Sequence, residues 1–553
     1  MTRRSRSIKD AVAPAPGSRY RHAVESDRGT WESPSLTVAA LIVAAGFLGS
    51  RLLGLLRSVI IAEAFGPQPE LDAYWVAFRL PDLVFQLLAG ATLASAFIPT
   101  FAGVRASDGE AAAWRLASSV LNIVLLATIA FAVVAFLLTP KLVPLLAPGL
   151  GEGTGREAEL NDLAVDLTRV MLISPVLFAI SGMFMGILNA RRHFLMPALA
   201  PMFYNLSIIV AALVSTEVDA LAIGVVAGAA LHLAVQLPDL RYAGMSYSLV
   251  ADWRDTAVRE VGRLMAPRML GLAATQINFY FVSIFFASML TAGAISGLSF
   301  AWLITMTPLG IVGMAISTAA FPTLADQAAR NDTAGMSGTL GRALRLIIFL
   351  SLPAGIGLAL LSKPLVVVLL QRGAFDVEST RVTAEALLFY APALFAHSGI
   401  EILSRGFYAL GDTKTPVTYA VASMLINVAL AAALVDSMEV QGLALALSIA
   451  TVVEFLLLYV AIARRVPGLV DERMRASLIR MALATALMAA AVGGVYALLD
   501  QRLDVERGVE ALVVVLAASA IGATVYLAAS IAGGLEEPRV FLRRLMGRIR
   551  ADA

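Results

Sequence analysis

The sequence predicts an all-α polytopic membrane protein of about fourteen transmembrane helices, arranged as two six-helix lobes related by a pseudo-two-fold repeat plus two C-terminal helices. Three observations predict it. Of the 553 residues, 59% are hydrophobic and only 15% are charged, against roughly a quarter charged in soluble domains. The apolar residues recur in blocks of about 20–30, the length a helix needs to cross ~30 Å of hydrocarbon. Arginine, finally, is concentrated in the tails and in alternate loops, and outer loops that contain it also hold acids, as in Arg372 with Asp376 and Glu378. A soluble chain of this length would divide into several domains with charged surfaces. The blocks are continuous and rich in Leu, Ala and Val, not alternating as barrel strands are, and in lipid a helix satisfies its own backbone.

In chain order, residues 1–34 are polar and Arg-rich and contain no apolar h-region. They read as a disordered cytoplasmic tail, not a signal peptide. Spans 1–6 fall near 36–65, 71–102, 112–147, 161–190, 194–215 and 218–239, and make an N-lobe of residues 35–240. Spans 7–12 fall near 257–290, 295–325, 340–371, 379–410, 415–435 and 440–463, and make a C-lobe of residues 241–465. Spans 13 and 14, near 475–499 and 508–533, occupy 466–533. Residues 534–553 are a basic tail whose RVFLRRLMGRIR segment reads as an amphipathic helix on the anionic inner leaflet.

The loops orient the chain. With the N-terminus cytoplasmic, the inner loops hold Arg105 and Arg115, Arg191 and Arg192, Arg241 to Arg263, Arg330 to Arg345, Lys414, and Arg464 to Arg475. The outer loops GPQPE (66–70), TEVD (216–219), TAGA (291–294) and DSME (436–439) contain no base. This is the positive-inside pattern, and an even number of spans puts both termini in the cytoplasm of a bacterial inner-membrane protein.

A weak internal repeat supports the two lobes. AFIPTFA (96–102) recurs as AAFPTLA (319–325), LLTPKLV (137–143) as LLSKPLV (360–366), and GILNARRHFLMP (186–197) resembles GFYALGDTKTP (406–416). All three pairs keep their order at an offset of about 220 residues. Two six-helix lobes running in the same direction imply a central cavity and alternating access.

Charge inside a span is costly, about 2.5–3.5 kcal/mol on insertion scales, so it faces a cavity or a partner. Span 1 carries Arg51 and Arg57; span 2 carries Arg79, Asp82 and Gln86. Across the short loop between them, Arg57 and Arg79 each lie ~12 Å from the helix ends at 1.5 Å per residue. Span 7 adds Arg268, behind Pro267, with Gln276 and Asn278 beyond it. A guanidinium group binds phosphate through a planar fork of charge-assisted bonds. Gathered guanidinium groups with few carboxylates therefore predict an anionic substrate. Snorkelling or carboxylate pairing is the plain alternative for each Arg.

Other polar groups carry less. Glu401 and Arg405 read as an intrahelical pair, with a proton relay from His397 as the alternative. His232 and Gln236 read as a polar pair that satisfies itself. Gly46, Gly49, Ser50 and Gly54 give span 1 a small-residue face for close packing or bending. The Gly-rich GLGEGTG (149–155) lacks the Lys-Ser/Thr of a phosphate loop. With no Cys, thiolate sites are excluded. No catalytic set or metal-ligand spacing appears, so neither enzymatic activity nor a cofactor is expected. The partners expected are a lipid-linked anionic substrate and membrane lipids, not nucleic acid.

SRLLGLLRSVIIAEAFGPQPELDAYWVAFRLPDL (50–83) resembles the MurJ/MviN family of lipid II flippases, in the multidrug/oligosaccharidyl-lipid/polysaccharide exporter superfamily. FLMPALAPMFYN (194–205), AISTAAFPTLA (315–325) and GDTKTP (411–416) extend the resemblance in the family's order. It implies export of the undecaprenyl-pyrophosphate-linked peptidoglycan precursor from the inner to the outer leaflet. It also implies functional roles for Arg51, Arg57 and Asp72, and a lipid-tail groove at spans 13 and 14. Two departures stand out. The stretch VFQLLAG (84–90), with Phe85 and Gln86, replaces a basic pair and a later Glu-Gly, and Leu303 stands where the family carries a span 8 Arg. Arg79 and Arg268 are candidates to supply that charge. The alternative functions are export of another lipid-linked saccharide, a multidrug antiporter, which needs an acidic cavity, and a non-transporting scaffold of cell-wall assembly.

Overall fold

The structure is a computed structural model and describes residues 36–88, 91–191, 193–276 and 282–538. The expectations for the 1–34 tail and for RVFLRRLMGRIR lie outside the described residues. So do Asn278 and the side chains of Arg268 and Gln276, whose backbones are helical.

The N-lobe begins with α1 (Leu36–Phe65), α2 (Pro69–Leu88) and α3 (Ala91–Leu146). At Gly109 the backbone of α3 turns with φ 87°, so the helix is two segments: the end of span 2, which α2 begins, and the whole of span 3. α4 (Glu157–Met171) and α5 (Ile173–Ala190) together make one crossing with a joint at Leu172. α6 (Leu195–Val214), α7 (Val218–Ala234) and the short α8 (Leu237–Tyr242) complete the lobe.

α9 (Thr256–Gln276) and α10 (Ser283–Ala287) form span 7. Span 8 is α11 (Ala294–Leu309), a π-helical turn Gly310–Met314, and α12 (Ala315–Ala329). α13 (Thr333–Leu360) is capped by Asp332, whose side chain accepts from the Gly335 N–H, and is followed by a separate short α14 (Ser362–Leu369). α15 (Val377–Tyr390) and α16 (Leu394–Ala409) form span 10, jointed at Pro392. α17 (Lys414–Arg465) holds spans 11 and 12. The expected loop DSME is only a reversal at Glu439, with φ 47°. α18 (Glu472–Asp500) and α19 (Gly508–Ala532) follow.

Eleven of these stretches are long and apolar enough to cross a membrane. One, 414–465, holds spans 11 and 12; another, 97–146, holds all of span 3 and the last part of span 2, which α2 begins; α9 adds the polar span 7, which accounts for fourteen. Among the described residues there is no strand.

Burial divides the molecule unequally. At the end of the bundle carrying the 66–68 and 370–376 loops, one apolar core joins both lobes. It runs from Ile61, Leu71 and Val165 to Phe300, Phe375 and Leu387. At the opposite end the cores are separate. One contains Phe97, Trp114 and Ile187, and the other Leu344, Phe407 and Leu458. Shared burial at one end and separate burial at the other makes the first end the stiff closure of the bundle.

Span 7 belongs to both lobes. Val258, Val261 and Met265 of α9 sit in the N-lobe core, and Ile284 and Ala287 of α10 sit in the shared core. The segment before α9 is tied to α3: Asn122 Nδ2 donates to the Ser248 and Val250 carbonyls at 3.1 and 2.9 Å. α1 packs on α6 through its small residues. A Cβ at Gly46 would lie 2.6 Å from Ala198 Cβ. α18 and α19 lie against the C-lobe, where Tyr526 OH donates to the Phe349 carbonyl at 2.8 Å.

Candidate functional site

A cavity of about 680 Å³ opens between the lobes just beneath the shared core. α1 contributes Arg57 and Ser58. α2 contributes Trp75, Arg79, Asp82 and Phe85, at spacings that keep them on one helical face. α5, α6 and α7 contribute Phe178, Tyr204, Asn205 and His232. From the C-lobe come Ser283 and Ile284 of α10, Ser299, Trp302 and Leu303 of α11, and Tyr390 of α15.

The sequence-level candidates separate into groups. Arg57, Arg79 and Asp82 line the cavity. Arg57 Nε is buried and without a hydrogen-bond partner among the described residues. The Arg79 guanidinium reaches across the lobes to Ser299 Oγ at 3.4 Å and lies 5.8 Å from the Trp75 ring centroid. Asp82 accepts from Gln86 Nε2 at 2.7 Å and lies in the field of both Arg79 and Arg57. Gln86 thus braces Asp82 from one turn below and is not itself a lining residue.

Arg51 sits outside the lining, over the π turn of span 8. Its Nη2 is 3.9 Å from Met314 Sδ, and a Cβ at Gly310 would lie 3.5 Å from its Cζ. Its guanidinium also lies 5.1 Å from the Phe47 ring centroid. No ion pair to Arg51 or Arg57 occurs among the described residues.

Asp72 has a different place again. It is buried at the closed end and grips the N-terminus of α11. Its Oδ2 accepts from the Gly293 N–H at 2.7 Å, and its Oδ1 accepts from the Ser296 N–H at 2.8 Å and the Ser296 hydroxyl at 2.5 Å. A carboxylate there meets the free N–H groups and the positive end of the helix dipole. Gly293 has φ 90°, and a Cβ on it would lie 2.5 Å from the Pro67 carbonyl, so only glycine fits. Nearby the Ala374 N–H donates to the Glu63 carbonyl at 2.8 Å, and Gly149 N–H donates to Ser288 Oγ at 3.3 Å. The closed end is therefore bonded lobe to lobe through backbone.

Of the two polar pairs read from the sequence, Glu401–Arg405 is present as an intrahelical ion pair, whereas His232 and Gln236 do not satisfy each other: their side chains meet through Ser181, and Gln236 Oε1 is buried without a partner among the described residues. Arg405 Nη1 is 3.1 Å from Glu401 Oε2, and its Nη2 donates to Thr318 Oγ1 at 3.2 Å. His232 and Gln236 share Ser181 as a common partner.

Sequence reasoning missed the aromatic side of the cavity. Phe178 packs on Phe85, Tyr204 and His232 with ring centroids 4.7, 5.2 and 5.3 Å apart. An aromatic in an apolar span carries no signal of which neighbour it faces. The only hint was His232 itself, a rare polar residue on span 6. Ser299 was missed for the same reason, although it lies one turn from Leu303 on the same face of α11.

Chemically, the site offers two guanidinium groups and one carboxylate in a chamber walled mostly by aromatic and aliphatic side chains, with Ser58, Asn205, His232, Ser283 and Ser299 among its uncharged polar groups. It suits an anionic head joined to a less polar body. Residues 61–513 match the family described as lipid II flippase MurJ. A probable lipid II flippase MurJ of Rhizobium tropici is 31% identical over 477 residues, covering 85% of this chain and 88% of the relative. One of Vibrio cholerae is 32% identical over 440 residues, covering 77% and 83%. Among solved structures, a lipid II flippase MurJ in an inward closed conformation aligns with TM-score 0.73 and 25% identity, over 92% of this chain and all of that one. An inward-facing multidrug resistance MATE family transporter of the MOP superfamily aligns with TM-score 0.63 at 15% identity, a likeness of fold.

Proposed function

The chain belongs to the lipid II flippase MurJ family, and from that membership we infer that it moves lipid II from the inner to the outer leaflet of the bacterial inner membrane by alternating access. It is a transporter, not an enzyme. Its partners are a lipid-linked substrate and the lipids around it.

The observation that carries this reading is that half-buried Arg57 lines a cavity that Arg79 shares, with its Nε buried and without a hydrogen-bond partner among the described residues. A cation held beside a mostly apolar chamber and short of hydrogen bonds carries a cost that a visiting anion relieves. A pyrophosphate offers acceptors on both sides, so Arg57 and Arg79 from antiparallel helices can hold it between them. Asp82 limits the net charge, which keeps binding reversible enough for release.

Arg79 also supports a substitute for the missing span 8 charge. Its contact at Ser299 is one helical turn from Leu303, so its guanidinium stands where an Arg at that position would reach. We place the Arg-rich loops and both termini in the cytoplasm. The bonded end then faces outward, the conformation that awaits substrate from the inner leaflet. Asp72 is the latch of that end, and Arg51 stands at the inner approach over a π turn, a feature frequent at functional sites. Spans 13 and 14 are assigned to the lipid tail.

Purified protein in proteoliposomes tests the reading directly. The wild type translocates lipid II, and the Arg57→Ala, Arg79→Ala double variant does not. Retained translocation by the double variant overturns the anion-cavity assignment. Transport of another lipid-linked saccharide in preference to lipid II would move the substrate while leaving the mechanism.

A further inference from the structure

The cavity holds one polar group that anion binding does not use. His232 lies on α7 in the cavity wall, with its ring edge-on to Phe178 at 5.3 Å between centroids. Which ring nitrogen carries the proton follows from its neighbours. One terminal atom of Gln236 lies 2.9 Å from the His232 carbonyl oxygen. Only an amide nitrogen can face a carbonyl at that distance, so this atom is Nε2. The same Nε2 lies 2.6 Å from Ser181 Oγ and gives it a hydrogen. Ser181 must then place its own hydrogen elsewhere. Its two neighbours are His232 Nδ1 at 2.6 Å and the His232 carbonyl at 3.2 Å, which already accepts from Gln236. The carbonyl could accept a second time, but 3.2 Å is long for a hydroxyl donor, so the 2.6 Å contact points to Nδ1 as the acceptor.

An Nδ1 that accepts leaves the ring neutral with its proton on Nε2. Nε2 makes no bond within the chain among the described residues. Asn205, on α6 in the same wall, donates through Nδ2 to the Pro201 carbonyl at 3.0 Å and the Ser50 carbonyl at 3.4 Å, and its Oδ1 lies toward Gly54 of α1. The wall of α5, α6 and α7 thus offers an uncharged donor, the His232 Nε2–H, set among aromatic faces.

We propose that His232 is a specificity-determining donor whose Nε2–H takes an uncharged acceptor of the substrate headgroup, a hydroxyl or an amide carbonyl, while Arg57 and Arg79 hold the phosphates. Ser181 and Gln236 are positioning residues that fix the ring's tautomer. This rests on the flippase reading and refines it. The site then measures two features of one molecule, charge on one wall and neutral polar groups on the other. An anion lacking the neutral part leaves the Nε2–H unmet in a desolvated wall, which disfavours it.

The test compares wild-type protein with His232→Phe, which keeps an aromatic ring against Phe178. Each is titrated with lipid II and, separately, with inorganic pyrophosphate. Loss of one neutral hydrogen bond predicts a roughly five- to tenfold weaker affinity for lipid II, with pyrophosphate binding unchanged. Equal lipid II affinity in the two proteins overturns the proposal. A parallel loss for both ligands also overturns it, because the ring would then act through the arginines or the fold. Nitrogen-15 NMR of labelled histidines in the wild type is independent of any variant. The chain has four histidines, so the His232 signal is the one missing from His232→Phe. A neutral ring protonated at Nε2 is expected; protonation at Nδ1, or at both nitrogens, overturns the proposal. If the wild type binds no lipid II while the NMR still finds the Nε2 tautomer, the flippase reading fails and not the ring assignment.

Discussion

Asp72 and Ser296 are joined twice, through the serine's backbone N–H and its hydroxyl, and the two residues belong to different lobes. With the Gly293 N–H, one carboxylate takes three hydrogen bonds from the first turn of α11. The shared apolar core closes around this contact. The lobes are therefore latched at one end by a charge on a helix N-terminus, a contact that can be made and broken without unfolding either lobe.

Asp72→Asn keeps the shape of the side chain and removes its charge. Charge-assisted bonds and the dipole interaction together contribute on the order of 1–3 kcal/mol. The closed end should open more often, by roughly tenfold or more. Accessibility of a thiol placed at Ala294 (Ala294→Cys), buried in the shared core beside the latch, compared with and without Asp72→Asn, reads this shift. Equal labelling in both backgrounds would remove the latch from the account.

Arg57 gives a second expectation, with opposite signs for stability and function. Arg57→Gln removes a half-buried cation whose buried Nε has no partner among the described residues. Thermal stability in detergent should stay level or rise, since residues that serve function often cost stability. Lipid II translocation should fall by at least tenfold. In the Arg79→Ala background, Leu303→Arg should restore part of the transport, because its side chain starts one turn from the Ser299 that Arg79 now touches. A large fall in melting temperature for Arg57→Gln would mean that the residue is structural.

The C-terminal helix pair gives a third. Arg345 Nε is 3.1 Å from Glu537 Oε1, and both side chains are about nine-tenths buried, at 11% and 10% exposure. Removing one partner strands the other, and breaking such a pair costs about 3–5 kcal/mol. Glu537→Leu should loosen α19 from α13, seen as faster hydrogen exchange over residues 508–532 with little change in the N-lobe. Uniform protection in both proteins would show that the helix pair is held by packing alone.

Much of the fold was legible because a bilayer imposes few choices. Hydrocarbon thickness fixes the length of a span, so span order followed from the apolar blocks alone. Buried charge was legible for the same reason: Arg57, Arg79 and Asp82 stood out against apolar surroundings, and all three line the cavity. Long-range pairing was not legible. Nothing near Asp72 announces that Gly293 and Ser296 receive it, because that contact depends on how two lobes close. Residues 245–265 likewise read as the start of the C-lobe. They pack on α3 because Asn122 holds their backbone, a bond no local pattern encodes. The aromatic wall was hidden by composition, since a Phe facing a cavity and a Phe facing lipid look alike in sequence.

The backbone contact between Glu63 and Ala374 permits the most direct test of alternating access. The chain has no native cysteine, and Glu63→Cys with Ala374→Cys places two thiols at the closed end, within the span a disulfide tolerates. Oxidation should hold that end shut and bring lipid II translocation in proteoliposomes to background, with recovery on reduction. Translocation at the unmodified rate while the disulfide is intact would contradict the account, because substrate would then be leaving by a route other than the opening of this latch.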